Sequence, residues 1–149
     1  MERQEIRTMA LIIALISGAL MSIQGVFNTE VTDQTSIWVA AGWVQLTAFI
    51  TCVAIWLFTG RQPIGGLMEV TPRYVMLGGI LGALITYTVV RSMSGLGPAQ
   101  ASILIVVSQI VVAYCIELFG LFGVDKADFE WRKLIGAAVA VAGIIIFRK

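Results

Sequence analysis

Five stretches of this 149-residue chain carry no charged side chain, and they decide its fold class. They are residues 8–29, 34–60, 74–90, 92–116 and 134–147. An α-helix rises about 1.5 Å per residue, so about 20 residues cross a hydrocarbon core of about 30 Å. In lipid, a segment must satisfy its own backbone hydrogen bonds, which favours helices over strands. We therefore predict an all-α, polytopic membrane protein with five transmembrane helices, near residues 8–29, 35–59, 73–93, 97–119 and 131–147.

Short polar or glycine-containing connections separate these predicted helices. They are a polar turn at 28–34, the stretches 60–66, 71–72 and 94–98, and the polar residues 125–128. Connections this short leave no room for a soluble domain, so we expect residues 1–149 to form a single transmembrane domain. The first apolar run is too long for the core of a signal peptide, and we expect it to be retained. The fifth helix has a charge-free core of only 14 residues, and it spans if Arg132 and Lys133 reach toward the interface.

The composition excludes several classes of protein. Hydrophobic residues make up 58% of the chain and charged residues 13%, against about 45–50% and 25% in soluble domains. Histidine is absent, and both cysteines lie deep in apolar stretches. A His-based triad or His-ligated metal site is therefore excluded, and no nucleophile–base pair or phosphate-binding loop is present. We predict a protein that is not an enzyme, holds no cofactor or metal, and binds no nucleic acid.

The positive charges predict an orientation. With five spans, the side that holds the N-terminus carries seven Lys or Arg residues, and the opposite side carries three. Cytoplasmic loops are enriched in Lys and Arg, so the N-terminus is predicted to be cytoplasmic. The margin of four charges also allows a fraction of the molecules to insert the other way up.

Several stretches together form a recognisable family pattern. They are IQGVFN at 23–28, LGGILGA at 77–83, LGPA at 96–99, IELFGLFG at 116–123 and WRKLIG at 131–136. In this order and spacing, over nearly the whole chain, they resemble the YdcZ-like family of half-size proteins in the drug/metabolite transporter (DMT) superfamily. The resemblance implies half of a ten-helix inverted-repeat fold, and hence an antiparallel pair with a second copy or a sister subunit. In inverted-repeat folds, the solute site lies near the midplane between the repeats.

Polar residues at membrane depth are costly, so each is a candidate for the solute site. Ser17, Gln24 and Asn28 fall on one small, partly polar face of the first helix. Their alternative role is hydrogen bonding between packed helices. The amides of Gln24 and Asn28 both donate and accept, which suits a polar or zwitterionic solute. Further substrate-binding candidates on the second, third and fourth helices are Trp43, Tyr87 and Gln109.

Glu117 is the acid within an otherwise hydrophobic stretch, near the end of the fourth helix. It is a candidate proton carrier, and the alternative is simple contact with water or with Arg132 and Lys133. Consecutive spans run in opposite directions, so Arg91 and Glu117 of one chain are expected at depths too different for pairing. Inverting a second copy brings its Glu117 to the depth of Gln24 and Arg91. We therefore predict an ion pair between subunits, formed twice.

Small residues predict faces for close helix packing. Gly78 and Gly82 form such a surface on the third helix, and Gly136 and Gly143 form another on the fifth. The face on the fifth helix is a candidate dimer contact.

These features predict a transporter of a small metabolite or drug-like solute in the bacterial cytoplasmic (inner) membrane. It is expected to work as an antiparallel dimer by alternating access, with proton coupling through Glu117 as a further hypothesis. The alternatives are a dimeric channel, or a non-transporting membrane subunit that binds a partner protein. The expected partners are the solute, the lipid bilayer and the second or sister subunit.

Overall fold

The structure is a computed structural model that describes the backbone of residues 2–147 and the side chains of residues 4–147. Within that range it contains five α-helices and no β-strand. The helices are α1 (Glu2–Gln34), α2 (Ile37–Phe58), α3 (Gly78–Leu96), α4 (Pro98–Phe119) and α5 (Trp131–Phe147). Turns of 3-10 helix occupy Ile64–Glu69, Arg73–Leu77 and Leu121–Gly123. The predicted all-α fold is confirmed.

Helix α1 is longer than its apolar stretch. The sequence predicts a polar turn over residues 28–34, but the helix continues through them to Gln34. None of these residues is Gly or Pro, and polar side chains alone do not end a helix. The Thr32 hydroxyl also donates to the Asn28 carbonyl at 2.8 Å, one turn back along α1. With 33 residues, α1 is about 50 Å long and exceeds the thickness of a hydrocarbon core.

Only residues 35 and 36 connect α1 to α2. The Ser36 hydroxyl accepts the Val39 N–H at 3.3 Å and caps the start of α2. The Thr35 hydroxyl donates to the Val31 carbonyl at 2.6 Å, at the end of α1. Both connecting residues are therefore bound to a helix, and α1 and α2 form a tight helical hairpin.

Among the residues that the structure describes, four helical segments are long and apolar enough to cross a membrane. They are Gln4–Gln34, Ile37–Phe58, Arg73–Leu96 and Pro98–Phe119. Large apolar side chains project outward along them, and Leu15, for example, is 76% exposed. Exposed apolar surface of this extent marks a lipid-facing protein, and the chain is a polytopic membrane protein. In the described range α5 has 17 residues, about 26 Å, and a fifth span there stays a prediction.

The chain divides into two compact units, one up to Arg91 and one from Ser92 onward. In the first unit α1 packs against α2, and in the second α4 packs against α5. The buried residues of the first unit are mostly small or polar: Gly25, Asn28, Ala40, Ala41, Thr86 and the larger Val90. Small buried residues allow helix backbones to approach closely, which is how helices associate in lipid. The single domain over 1–149 stays a prediction.

Candidate functional site

A groove between α1 and α2 brings three of the predicted solute-binding residues together. Gln24 and Asn28 lie on its α1 wall, and Trp43 lies on its α2 wall. The groove has a volume of about 720 Å³, within the range of small-molecule sites. Its other lining residues are Leu20, Met21, Ile23, Phe27, Val31, Val44, Thr47, Ala48, Thr51 and Cys52. We call this the α1–α2 groove.

Helical spacing explains why these residues share the groove. Gln24 and Asn28 are four residues apart, so their side chains are neighbours on one face of α1. On α2 the same spacing relates Trp43, Thr47 and Thr51. The two helices are held side by side by their two-residue connection. Each helix therefore contributes one such row of residues to the groove.

Asn28 is the buried polar residue of the groove. It is only 7% exposed, and its side chain lines the groove. Its carbonyl oxygen accepts the Thr32 hydroxyl, but its side-chain amide makes no hydrogen bond to any residue that the structure describes. The polar atoms of this side chain are not fully buried, so the unbonded amide is open to the groove. Asn28 is therefore the residue of the groove best suited to bind a solute.

The threonines of the groove offer acceptors rather than donors. The Thr47 hydroxyl donates to the Trp43 carbonyl at 2.9 Å, and the Thr51 hydroxyl donates to the Thr47 carbonyl at 2.8 Å. A hydroxyl has one donor, so these groups keep only lone pairs for a bound molecule. The donors that the groove can present are thus mainly the carboxamides of Gln24 and Asn28.

Gln45 connects α2 to the start of α3. Its Nε2 donates to the Gly79 carbonyl at 3.2 Å. A Cβ atom built on Gly82 would lie 2.7 Å from the same nitrogen, so the absence of a side chain at Gly82 is what admits Gln45. At Gly78 a Cβ would meet nothing within 4 Å. The packing role predicted for Gly78 and Gly82 stays a prediction, and the contact between Gln45 and Gly82 is one that the sequence does not single out.

Tyr87 stacks on Trp38 rather than lining the α1–α2 groove. The ring centroids are 5.0 Å apart with an interplanar angle of 21°.

We expect Tyr87→Leu to lower the free energy of unfolding by about 0.5–1.5 kcal/mol more than the loss of buried apolar surface alone would. Tyr87→Phe is expected to keep the stack on Trp38. Thermal unfolding in detergent measures this difference. Equal melting temperatures for the two variants would contradict a stabilising stack, and loss of export in Tyr87→Phe alone would restore the predicted solute-binding role.

Ser17 and Gln109 also lie outside the groove. Ser17 is exposed on α1, and Gln109 is exposed on α4 in the second unit. Arg91 is exposed near the end of α3 and forms no ion pair with any described residue. Their predicted roles in solute binding and in an intersubunit ion pair stay predictions.

Glu117 forms an ion pair with Lys133 of α5. Glu117 Oε2 and Lys133 Nζ are 3.1 Å apart, and both side chains are partly exposed. Lys133 also lies 3.6 Å from Glu130 and 5.4 Å from the centre of the Tyr114 ring. The Tyr114 hydroxyl accepts the Glu130 N–H at 3.0 Å. The sequence indicates Lys133 as one of the alternative partners for Glu117. It does not identify Tyr114, because Tyr114 and Glu130 are 16 positions apart on different elements and no sequence pattern relates them.

The glycine face of α5 is open. A Cβ atom built on Gly136 or Gly143 would meet nothing within 4 Å. Their predicted part in a dimer contact stays a prediction. Across the described residues, no group of three or more Cys, Asp or Glu side chains is placed to hold a metal ion.

Comparison with known proteins assigns the chain to a family. The family described as "Putative inner membrane exporter, YdcZ" matches residues 9–146. Neither the comparison with curated proteins nor that with solved structures finds a match. The match spans all five helices, and the resemblance inferred from the sequence motifs is confirmed. The chain therefore belongs to the YdcZ family of the DMT superfamily, a family of inner-membrane exporters rather than enzymes.

Proposed function

We propose that this protein exports a small solute across the inner membrane and that the α1–α2 groove forms part of its solute site. One observation supports this above the others. Asn28 is a largely buried residue of the α1–α2 groove, and its side-chain amide is open to the groove and bonds no described residue. Polar groups held at membrane depth without internal bonding are characteristic of transport sites. A subunit that only packed against a partner protein would have no need of such a groove.

An untargeted comparison of culture media tests export, whatever the solute is. Cells that produce the protein are compared with cells that lack it and with cells that produce Asn28→Ala, and the solutes in the medium are quantified by mass spectrometry. We expect at least one small solute to accumulate outside in the first culture only. Proteoliposomes loaded with that solute then measure flux against concentration. Saturation supports a transporter, whereas flux that rises without saturation would indicate the channel. No difference between the cultures would contradict export.

The working unit in this proposal is an antiparallel dimer that operates by alternating access. A half-size chain reproduces an inverted repeat only if a second copy or sister subunit is inverted beside it. The open glycine face of α5 supports such a contact because small residues let helices approach. The proposal keeps a cytoplasmic N-terminus as the majority orientation and an inverted fraction as its partner.

Labelling of single cysteines tests this arrangement. Asp33 and Asp128 are exposed at the end of α1 and between α4 and α5. Each is replaced by cysteine in a background that lacks Cys52 and Cys115, because both native cysteines are exposed. In sealed vesicles we expect an impermeant reagent to label each site from both sides. Labelling from one side only would contradict a homodimer of opposed copies. It would indicate either an inverted sister subunit or a parallel assembly without the ion pair between subunits.

Proton coupling through Glu117 is the final part of the proposal. The carboxylate is partly exposed at the end of α4, where it pairs with Lys133. We expect Glu117→Gln to remove the dependence of export on a pH gradient in proteoliposomes. Lys133→Gln is the control, since it breaks the same ion pair but keeps the carboxylate. A Glu117→Gln variant with full pH-driven export would contradict coupling and leave the ion pair a purely structural role.

A further inference from the structure

No lining residue of the α1–α2 groove carries a charge. All 13 of them are apolar, aromatic, hydroxyl, thiol or carboxamide residues. An ion that enters a site at membrane depth loses its water and needs a countercharge or many hydrogen bonds in return. The groove supplies no countercharge. Its chemistry therefore favours a neutral solute over an anion or a cation.

The hydrogen-bonding groups of the groove define one end of that solute. The Asn28 amide presents a donor and an acceptor side by side, and both are without partners in the described part of the chain. The Thr47 and Thr51 hydroxyls, whose donors are used by the helix, add acceptors only. A carboxamide pairs best with a group that also carries a donor beside an acceptor, as it does with the edge of adenine.

The opposite wall suits a flat ring. The Trp43 side chain lines the groove and keeps 58% of its surface exposed, so its ring is available for stacking. Met21 and Phe27 add apolar surface on the α1 side. Aromatic rings stack favourably on indole without requiring charge.

We propose that the α1–α2 groove binds an uncharged, planar aromatic solute with a donor and an acceptor side by side, as in a primary amide, a lactam or a nucleobase edge. This inference rests on the proposed export function and names the class of solute for the same groove. The Asn28 amide pairs with the polar edge of the solute, and Trp43 stacks on its ring.

Three matched probes test the proposal with the full chain in lipid nanodiscs. Nicotinamide is neutral, nicotinate replaces its amide with a carboxylate, and 1-methylnicotinamide keeps the amide but carries a positive charge. Binding is followed by ligand-observed NMR titration, which detects the weak affinity expected of so small a probe. We expect saturable binding of nicotinamide and at least about tenfold weaker binding of both ions. Equal or tighter binding of either ion would overturn the proposal.

Two variants tie that binding to the groove. Asn28→Asp keeps the shape of the side chain but removes its donor, and Trp43→Leu removes the stacking surface. Each is expected to weaken nicotinamide binding at least about tenfold. The controls are Gln100→Glu and Trp131→Leu, which make the same kinds of change on α4 and α5 and are expected to leave binding unchanged. Unchanged binding in both groove variants would overturn the proposal, as would the absence of saturable binding, the result expected if lipid fills the groove.

The export comparison separates failure of this inference from failure of the proposed function. If a charged or aliphatic solute accumulates outside producing cells while nicotinamide does not bind, export stands and the solute class is wrong. If nicotinamide binds but no solute accumulates, the groove is a neutral aromatic site and export is contradicted.

Discussion

Replacing Asn28 with alanine is expected to lower export of the accumulated solute at least about tenfold and to leave the protein no less stable. The two effects have one cause. The Asn28 amide is open to the groove and bonds no described residue, so removing it breaks no hydrogen bond within the hairpin. Alanine also has the higher helix propensity. The solute, by contrast, loses the group that we propose binds it, and a lost hydrogen bond in such a site costs about 1–3 kcal/mol.

The measurement pairs export in proteoliposomes with thermal unfolding of the same preparation. Gln34→Ala is the matched control, since Gln34 also carries a carboxamide on α1 but bonds Glu30 at 2.7 Å outside the groove. We expect the control to export at the rate of the parent protein. A structural role for Asn28 would show the reverse pattern, with a lower melting temperature and unchanged export per folded molecule.

Replacing Gly82 with leucine is expected to lower the free energy of unfolding by about 1 kcal/mol, chiefly through the hydrogen bond that Gln45 loses. Even the first atom of the new side chain would lie 2.7 Å from Gln45 Nε2. Leucine must therefore displace the flexible end of the Gln45 side chain and break its hydrogen bond to the Gly79 carbonyl. Thermal unfolding in detergent measures the loss.

Two further variants separate crowding from a general effect of leucine. Gly79→Leu adds the same side chain where a Cβ atom meets nothing within 4 Å, and it is expected to cost far less. Gln45→Ala combined with Gly82→Ala tests the contact directly. Once Gln45 is truncated, the methyl group added by Gly82→Ala has no atom to displace. Gly82→Ala is therefore expected to cause no further loss of stability in the Gln45→Ala background. Equal losses for the two leucine variants would contradict a specific contact at Gly82.

The sequence predicts the helices well because a hydrocarbon core excludes charge, so charge-free stretches mark spans directly. It errs at the end of α1 because residues 28–34 are polar without being helix breakers, and polarity alone does not make a turn. The pairing of Gln24 with Asn28 follows from their spacing of four. Helical periodicity thus predicts which residues share a face of a single helix.

Contacts between helices carry no comparable signal in one sequence. Gln45 and Gly82 are 37 positions apart, and only the folded structure shows that the Gln45 side chain reaches Gly82. Tyr87 is aromatic and deep in a span, which favours a place in the solute site, whereas the structure stacks it on Trp38. For Glu117, the sequence leaves water, Arg132 and Lys133 as possible contacts, and the structure shows the ion pair with Lys133.

The two-residue connection between α1 and α2 has a consequence for inhibitors. Both walls of the groove belong to one short hairpin, with Thr35 and Ser36 each bound to a helix. If the α1–α2 hairpin moves as a rigid body during transport, the groove keeps the same shape in the inward-facing and outward-facing states. A compound that contacts only the hairpin would then bind both states equally and would shift no conformational equilibrium. It would compete with the solute without arresting the protein in either state, whereas a conformational trap must also reach residues outside the hairpin.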